Sequence, residues 1–521
     1  MPTLEWIGKE KVINHHQQVP YRVLEERYTY HAEQSENMII RGDNLEALKA
    51  LLPRYEGKVK CIYIDPPYNT GNEGWVYNDN VNDPKIRKWL GEVVGKEGED
   101  LSRHDKWLCM MYPRLKLLQR LLSDTGVIFV SIDNTEYTNL KMICDEIFGQ
   151  SNYVETLVWQ KRTSPDARKR ISSGHEYVMI YAKKYEAEDT LFNLLQLEGK
   201  DADKFKNPDK DPRGPWVSTD FTAQGWRPNQ MYEITTPSGQ KMSPPEGRCW
   251  RHLEEVYKQL LSEGRLWFGS DGNGVPRKKT YLNEKDGKGV WTWWTNTEVG
   301  HTQEATQEVA HILGKSVFDY PKPVRLISRI IKLASSDGDV ILDSFAGSGT
   351  TAHAVLNMNK ADGGNRKFIL VEMMDYAESI TAERVKRVID GYGEGKNAVE
   401  GTGGDFTFYD LGPALLLPDG NLNEEVGAEK IREYVWYMET KSPLEQADGD
   451  NPYYLGRSRE TDYYFYYERD RLTTLNHSFL ATIKERAESY LIYADLCTIP
   501  DEELKQYNIT FKKIPRDIAK L

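Results

Sequence analysis

Two short apolar runs, Val59-Lys60-Cys61-Ile62-Tyr63-Ile64 and Val340-Ile341-Leu342, each lead into a loop dense in acid, proline or glycine. The first loop reads Asp65-Pro66-Pro67-Tyr68-Asn69-Thr70-Gly71. The second reads Asp343-Ser344-Phe345-Ala346-Gly347-Ser348-Gly349-Thr350-Thr351. Short β-branched runs of this kind read as strands buried on both faces, as in a parallel sheet, so both loops lie at carboxyl ends of strands. Open α/β sheets bind ligands along that edge. A glycine loop there suits a nucleotide-like cofactor. An acid-Pro-Pro-aromatic loop supplies a hydrogen-bond acceptor, a stiff backbone and a stacking ring. Either loop alone also fits an ordinary turn; the pair, at equivalent strand ends, points to a site.

Around these loops, strand and helix patterns alternate, which implies a doubly wound α/β sheet. Met38-Ile39-Ile40 reads as a strand, followed by a helix through Leu45, Leu48, Leu51 and Leu52. A helix is expected from His104 to Leu122, with Pro113 as a kink or break. Gly126 to Ile132 reads as a strand and Tyr137 to Phe148 as a helix, while Val154–Trp159 and Glu176–Ala182 suit an edge hairpin. The alternation stops from about residue 185 to 315, where Pro, Gly, Trp and Tyr are frequent. It resumes with a helix after Pro323, the strand into Phe345, a helix from Thr350, the strand Phe368–Val371 and a helix past Tyr376. The expected organisation is therefore an arm over 1–37, one half of an α/β domain over 38–184, an inserted region over 185–315 and the second half over 316–392. A Gly-rich linker and a small α/β module follow over 393–521, the module suggested by the aromatic runs Tyr463–Tyr467 and Tyr490–Tyr493.

With a net charge of −12, the chain as a whole is a poor polyanion binder, so the distribution of charge matters more than its sum. Lys161, Arg162, Arg168, Lys169 and Arg170 crowd one segment, and Arg277, Lys278 and Lys279 follow a glycine-rich loop. Both groups are candidate phosphate contacts, although a solvated charged face would look the same. The five cysteines are scattered without CxxC or metal-ligand spacing, which argues against structural zinc and suits a reducing compartment. No metal is expected. The amino terminus lacks the features of a signal peptide and no apolar stretch approaches spanning length, so a cytoplasmic protein is expected.

The two loops together resemble the catalytic and cofactor loops of S-adenosylmethionine-dependent DNA amino-methyltransferases, and their order resembles the circularly permuted β group of that family. The resemblance implies a permuted Rossmann-like methyltransferase sheet with an inserted target-recognition region and a small carboxyl-terminal module. It implies methyl transfer from S-adenosyl-L-methionine to the exocyclic amine of an adenine flipped out of double-stranded DNA. Asp65, Pro66, Pro67 and Tyr68 would be catalytic, with Asp65 accepting an amine hydrogen and Tyr68 stacking on the base. Phe345, Ala346, Gly347, Ser348, Gly349 and Thr350, with Asp343 before them, would cradle the cofactor. Glu372, at the end of the next strand, would grip ribose hydroxyls, as an acid does in dinucleotide folds. Asp43 resembles the family's acid at the cofactor's adenine, and Phe318 to Pro323, with Lys322 and Pro323, resembles the segment closing over its methionine end. Trp267-Phe268-Gly269, Asp271 to Arg277 and Gly300 to Ala305 look like modification subunits of type III restriction systems and their solitary relatives. A homodimer and a nuclease or translocase partner are compatible with that resemblance. Methylation of the cytosine amine, methylation of RNA, and a non-catalytic DNA-recognition subunit remain as alternatives.

Overall fold

Ten strands of the chain share one sheet: Arg22–Tyr30 (β1), Met38–Arg41 (β2), Val59–Ile64 (β3), Leu122–Ile132 (β4), Tyr153–Gln160 (β5), His175–Ala182 (β6), Trp293–Trp294 (β7), Val340–Asp343 (β8), Lys367–Glu372 (β9) and Phe406–Ala414 (β10). This computed structural model describes residues 3–70, 103–314, 317–444, 451–484 and 486–516. Strands lie side by side in the order β1-β10-β2-β9-β8-β3-β4-β6-β5-β7. From β10 through β4 every pairing is parallel, and β6 then runs antiparallel to both β4 and β5. The two motif-bearing strands are direct neighbours, with Leu342 opposite Ile62. This is the permuted α/β sheet that the motif order implies: β2 and β3 come early in the chain, yet β8 and β9, made much later, lie between them.

The central strands are buried almost throughout, which is why they read as continuous apolar runs. Helices cover the faces: Asn44–Tyr55 (α1), Arg103–Leu121 (α2), Tyr137–Phe148 (α3), Thr302–Leu313 (α4), Val324–Ala334 (α5), Thr350–Asp362 (α6) and Glu383–Asp390 (α7). Helix α2 continues through Pro113 rather than ending there. The expected hairpin forms but is not the edge of the sheet: β6 also pairs with β4, and β7 pairs with the far side of β5.

Residues 3–30, read from sequence as an arm, pack on the main sheet. Two single-turn helices, Lys9–Val12 and His15–Gln18, precede β1, which pairs with β10. Lys49 of α1 holds this segment by donating to the carbonyls of His16 and Gln17, both at 2.9 Å, and lies 4.9 Å over the Tyr21 ring. The segment hides its structure because β1 is only half-buried and lacks a clean apolar alternation. The Gly-rich stretch near 391–404 leads into β10, itself part of the main sheet. Beyond it, Ala428–Thr440 (α8) and a four-stranded sheet that includes Thr461–Phe465 and Ser489–Ala494 as parallel neighbours form the small module.

Residues Leu194–Val290 form a separate compact unit, narrower than the region of broken alternation. Its core gathers Phe221, Trp250, Tyr257, Leu260 and Phe268. Among the described residues, no helix is long and apolar enough to cross a membrane.

Candidate active site

Because β3 and β8 are adjacent and parallel, their carboxyl-end loops open into one cavity of about 280 Å³. Asp65, Pro66 and Tyr68 line it from one side, and Asp343, Phe345, Ala346, Gly347, Ser348 and Thr350 from the other. Lys322, Glu176 and Lys161 complete a charged wall.

The Asp65 loop is held by side chains. Lys322 Nζ lies 2.5 Å from Asp65 Oδ2 and 3.7 Å from Glu176 Oε2. Tyr68 donates its hydroxyl to Glu176 Oε2 at 3.0 Å, with Lys322 5.0 Å over its ring. Lys161 donates to Glu176 Oε1 at 2.8 Å. Burial raises the Asp65 carboxyl above the ordinary carboxylate range, and Lys322 pulls it partly back. Burial pushes Glu176 the same way, but Lys322 and Lys161 together hold it below that range. Two lysines thus outweigh desolvation at Glu176, whereas one does not at Asp65. Pro67 turns its carbonyl to Trp107 Nε1 at 2.6 Å. The next residue, Asn69, is buried with a left-handed φ of 60°, which Asn tolerates better than most residues. Its amide donates to the buried Glu136 at 2.5 Å, and Glu136 also meets His104 at 2.7 Å and Asn139 at 2.7 Å.

The glycine loop is held by its backbone. Glu372 accepts from Gly347 N at 2.8 Å and from Met374 N at 2.9 Å. Thr381 donates to Gly347 O at 2.6 Å, and Ala346 N donates to Val371 O at 3.1 Å. Gly347 and Gly349 have φ of 52° and 81°, and a Cβ on either would lie 3.2 Å from Phe318 or 3.1 Å from the Thr381 carbonyl. Glycine is therefore favoured on two counts, the backbone angle and the tight space. Asp343 accepts from Phe345 N at 3.0 Å and from the Thr351 hydroxyl at 2.5 Å. Burial pushes the carboxyls of Asp343 and Glu372 up to about 7. Arg384, fully buried, donates to the hydroxyls of Ser348 and Thr350 at 2.8 and 2.9 Å.

The sequence of this fold matches the DNA methylase family model over residues 59–383, which takes in both loops and the strands that carry them. The chain belongs to the DNA methylase family. It is 38% identical over 361 residues to the StyLTI Mod subunit, a type III restriction-modification enzyme of Salmonella typhimurium, covering 64% of this chain and 52% of that protein. To the EcoP15I Mod subunit of Escherichia coli it is 31% identical over 426 residues, covering 71% and 64%. To the type II methyltransferase M.KpnI of Klebsiella pneumoniae it is 32% identical over 366 residues, covering 65% and 81%. The chain spans between about half and two thirds of the length of the type III relatives.

In this member of the family Asp43 is first of all a helix cap. Its Oδ1 accepts from Leu45 N and Glu46 N at the start of α1, and its Oδ2 meets the buried Arg114 at 3.2 Å. Lys322 enters the cavity from the turn before α5, and Pro323 caps that helix. The basic residues fall into three classes. Arg168, Lys169 and Arg170 are exposed. Lys161 and Arg162 instead line the cavity, Lys161 paired with Glu176. Within the unit of residues 194–290, Arg277 is exposed and bonds Ser218, and Lys278 is half-buried. Lys279 does not serve as a phosphate contact: it is 5% exposed, and Asp209 and Asp211 neutralise it. Sequence reading passed over Glu176, Glu136, Trp107 and Arg384. For Glu176 a signal existed, an acid inside a strand otherwise buried.

Proposed function

We propose that this DNA methylase transfers a methyl group from S-adenosyl-L-methionine to the exocyclic amine of an adenine flipped out of double-stranded DNA. One observation carries the reading: the Asp65-Pro66-Pro67-Tyr68 loop and the Phe345–Gly349 loop face a single cavity from adjacent strands. Residues in the cavity wall, with Glu372 and Asp43 behind it, fit the cofactor. The glycine loop leaves little room for a Cβ, and burial raises the carboxyls of Asp65, Asp343 and Glu372 above the ordinary carboxylate range, at Asp65 in spite of Lys322. A cationic ligand beside them would favour their ionised forms. Asp343 and residues 345–350 would hold its amino-acid end, Glu372 its ribose, Asp43 its adenine, and Lys322 with Pro323 would cover it. Glu372 and Asp43 already accept backbone hydrogens, but each carboxylate oxygen has a second lone pair for a ligand hydroxyl or amine.

When bound, S-adenosylmethionine supplies an electrophilic methyl group on a sulfonium. Asp65 accepts one amine hydrogen, which favours the nitrogen lone pair as it attacks, and its raised pKa suits it to take up the proton then released. Tyr68, kept protonated by burial and anchored on Glu176, presents its ring to the base. Pro66 and Pro67 fix these groups in place, so orientation supplies much of the rate.

The unit of residues 194–290 is proposed to read the target sequence. The protein is further proposed to act in the cytoplasm, as the modification subunit of a restriction-modification enzyme, with itself and a restriction subunit as protein partners. Mass spectrometry of nucleosides from DNA incubated with chain and cofactor tests the central reading. N6-methyladenine supports it; N4-methylcytosine would move the assignment to cytosine, and no methylated base would end it. Sequencing DNA from a host expressing the chain would give the target site.

A further inference from the structure

Beyond Lys161 and Arg162, the connection between β5 and β6 takes no part in the chemistry above. It begins and ends in the cavity wall, with Lys161 and Arg162 at one root and Glu176 beyond the other. Two hydrogen bonds close its neck, from Lys161 N to Gly174 O at 2.9 Å and from Asp166 N to Ser172 Oγ at 2.9 Å. A third, from Lys169 N to Asp166 O at 3.0 Å, curls the tip. Asp166 also fixes the Arg168 guanidinium through two bonds, at 3.0 and 2.9 Å. Above this neck stand the exposed Arg168, Lys169 and Arg170, then Ile171. At 92% exposure, Ile171 is the most exposed large hydrophobic side chain among the described residues.

A single apolar side chain on a surface is ordinary. This one follows three cations on a closed loop rooted in the wall of the cavity that is to receive a base. Extruding a base sacrifices its stacking, and an apolar side chain entering the vacated step restores part of the loss. Cations beside such a wedge neutralise phosphates without regard to sequence.

We propose that the 161–174 loop is a duplex-opening wedge: Ile171 fills the step left by the flipped base, while Arg168, Lys169 and Arg170 hold the flanking phosphates. The proposal rests on the reading of the chain as a methyltransferase acting on a flipped base. It assigns to this loop a task separate from sequence choice and from methyl transfer. Ile171 is in neither the catalytic nor the cofactor machinery, so its truncation leaves both intact.

The test uses the full chain, S-adenosylmethionine and two duplexes carrying the mapped site. In one the target adenine is paired, and in the other it faces an abasic position and needs less work to extrude. Ile171→Ala should slow methylation of the paired duplex about tenfold and that of the abasic-opposed duplex less than about twofold. Ile171→Met should restore most of the paired rate. Equal losses on both duplexes, or no loss on the paired one, would overturn the wedge while leaving the methyltransferase reading standing. A wild-type chain inactive on both would remove the methyltransferase reading, and the wedge with it.

Discussion

The Asp65–Tyr68 loop is fixed by its own side chains in a charge network, whereas the Phe345–Gly349 loop is gripped largely through its backbone groups. At the first, two buried acids share two lysines and Lys322 stands between them, 2.5 Å from one and 3.7 Å from the other. At the second, Glu372 and Thr381 clamp both sides of Gly347, and positive φ with close contacts disfavours a Cβ at Gly347 and Gly349. A charge network can redistribute when a ligand arrives, because a lysine can exchange one carboxylate for another. A backbone clamp around two glycines has one arrangement. The difference suits the proposed roles, in which one loop responds to a base and the other receives a cofactor.

The largest test of this contrast is Asp65→Ala. Loss of a charge-assisted acceptor in a preorganised site should raise the barrier by about 3 kcal/mol or more, over a hundredfold in turnover. Calorimetric titration should show cofactor affinity little changed, since the glycine loop does not depend on Asp65. Near-normal turnover would end the catalytic assignment. Glu372→Ala attacks the other loop. It loosens the Gly347 clamp and removes a charged acceptor for the cofactor, a loss of about 1.5–3 kcal/mol, so cofactor affinity should fall roughly tenfold to a hundredfold with DNA affinity preserved. Loss of DNA binding with intact cofactor binding would show that the clamp is misread.

A smaller effect sharpens the charge-sharing half. Glu176→Gln removes the acid to which Lys322 can move, so Lys322 should stay on Asp65 and turnover should fall about tenfold at unchanged cofactor affinity. Adding Lys322→Met should make the Glu176 substitution nearly silent, because nothing then locks Asp65; simple additivity of the two losses would refute the sharing. The smallest effect is in pH. Asp343 and Glu372 titrate near 7 in the unliganded fold, so affinity for a cationic cofactor should rise severalfold from pH 6 to 8. For unliganded stability the sign reverses: with folded values above the unfolded ones, these two groups stabilise fully below about pH 4, and their contribution is lost as pH rises through about 7. Thermal melts of Asp343→Asn should show a flatter decline over that window, and an unchanged slope would remove Asp343 as its source.

Much of the sheet was legible because strands buried on both faces must be continuous apolar runs. Val59–Ile64, Val340–Asp343 and Lys367–Glu372 stand where such runs place them, and the amphipathic helix Tyr137–Phe148 has the bounds its periodicity gives. β1 and β10 were hidden, since a half-buried strand shows no such run and its partner lies hundreds of residues away. Lys279 looked like one cation among three. Only the return of Asp209 and Asp211 to its strand buries it, and no local pattern carries that information. Both loops were visible by composition, but the Glu176 and Lys322 pairing came from two distant segments and needed the fold.

The strand order also sets a problem for synthesis. Strands β2 and β3 are made early, but the two strands that separate them in the sheet, β9 and β8, follow only after Val340 has been translated. At about 5–20 residues per second, the facing edges of β2 and β3 wait tens of seconds for their partners. Those edges belong to strands with almost wholly apolar faces, the kind of surface that pairs with the wrong chain. A nascent chain of this order therefore depends more on chaperone shielding than an unpermuted one, whose central strands emerge first.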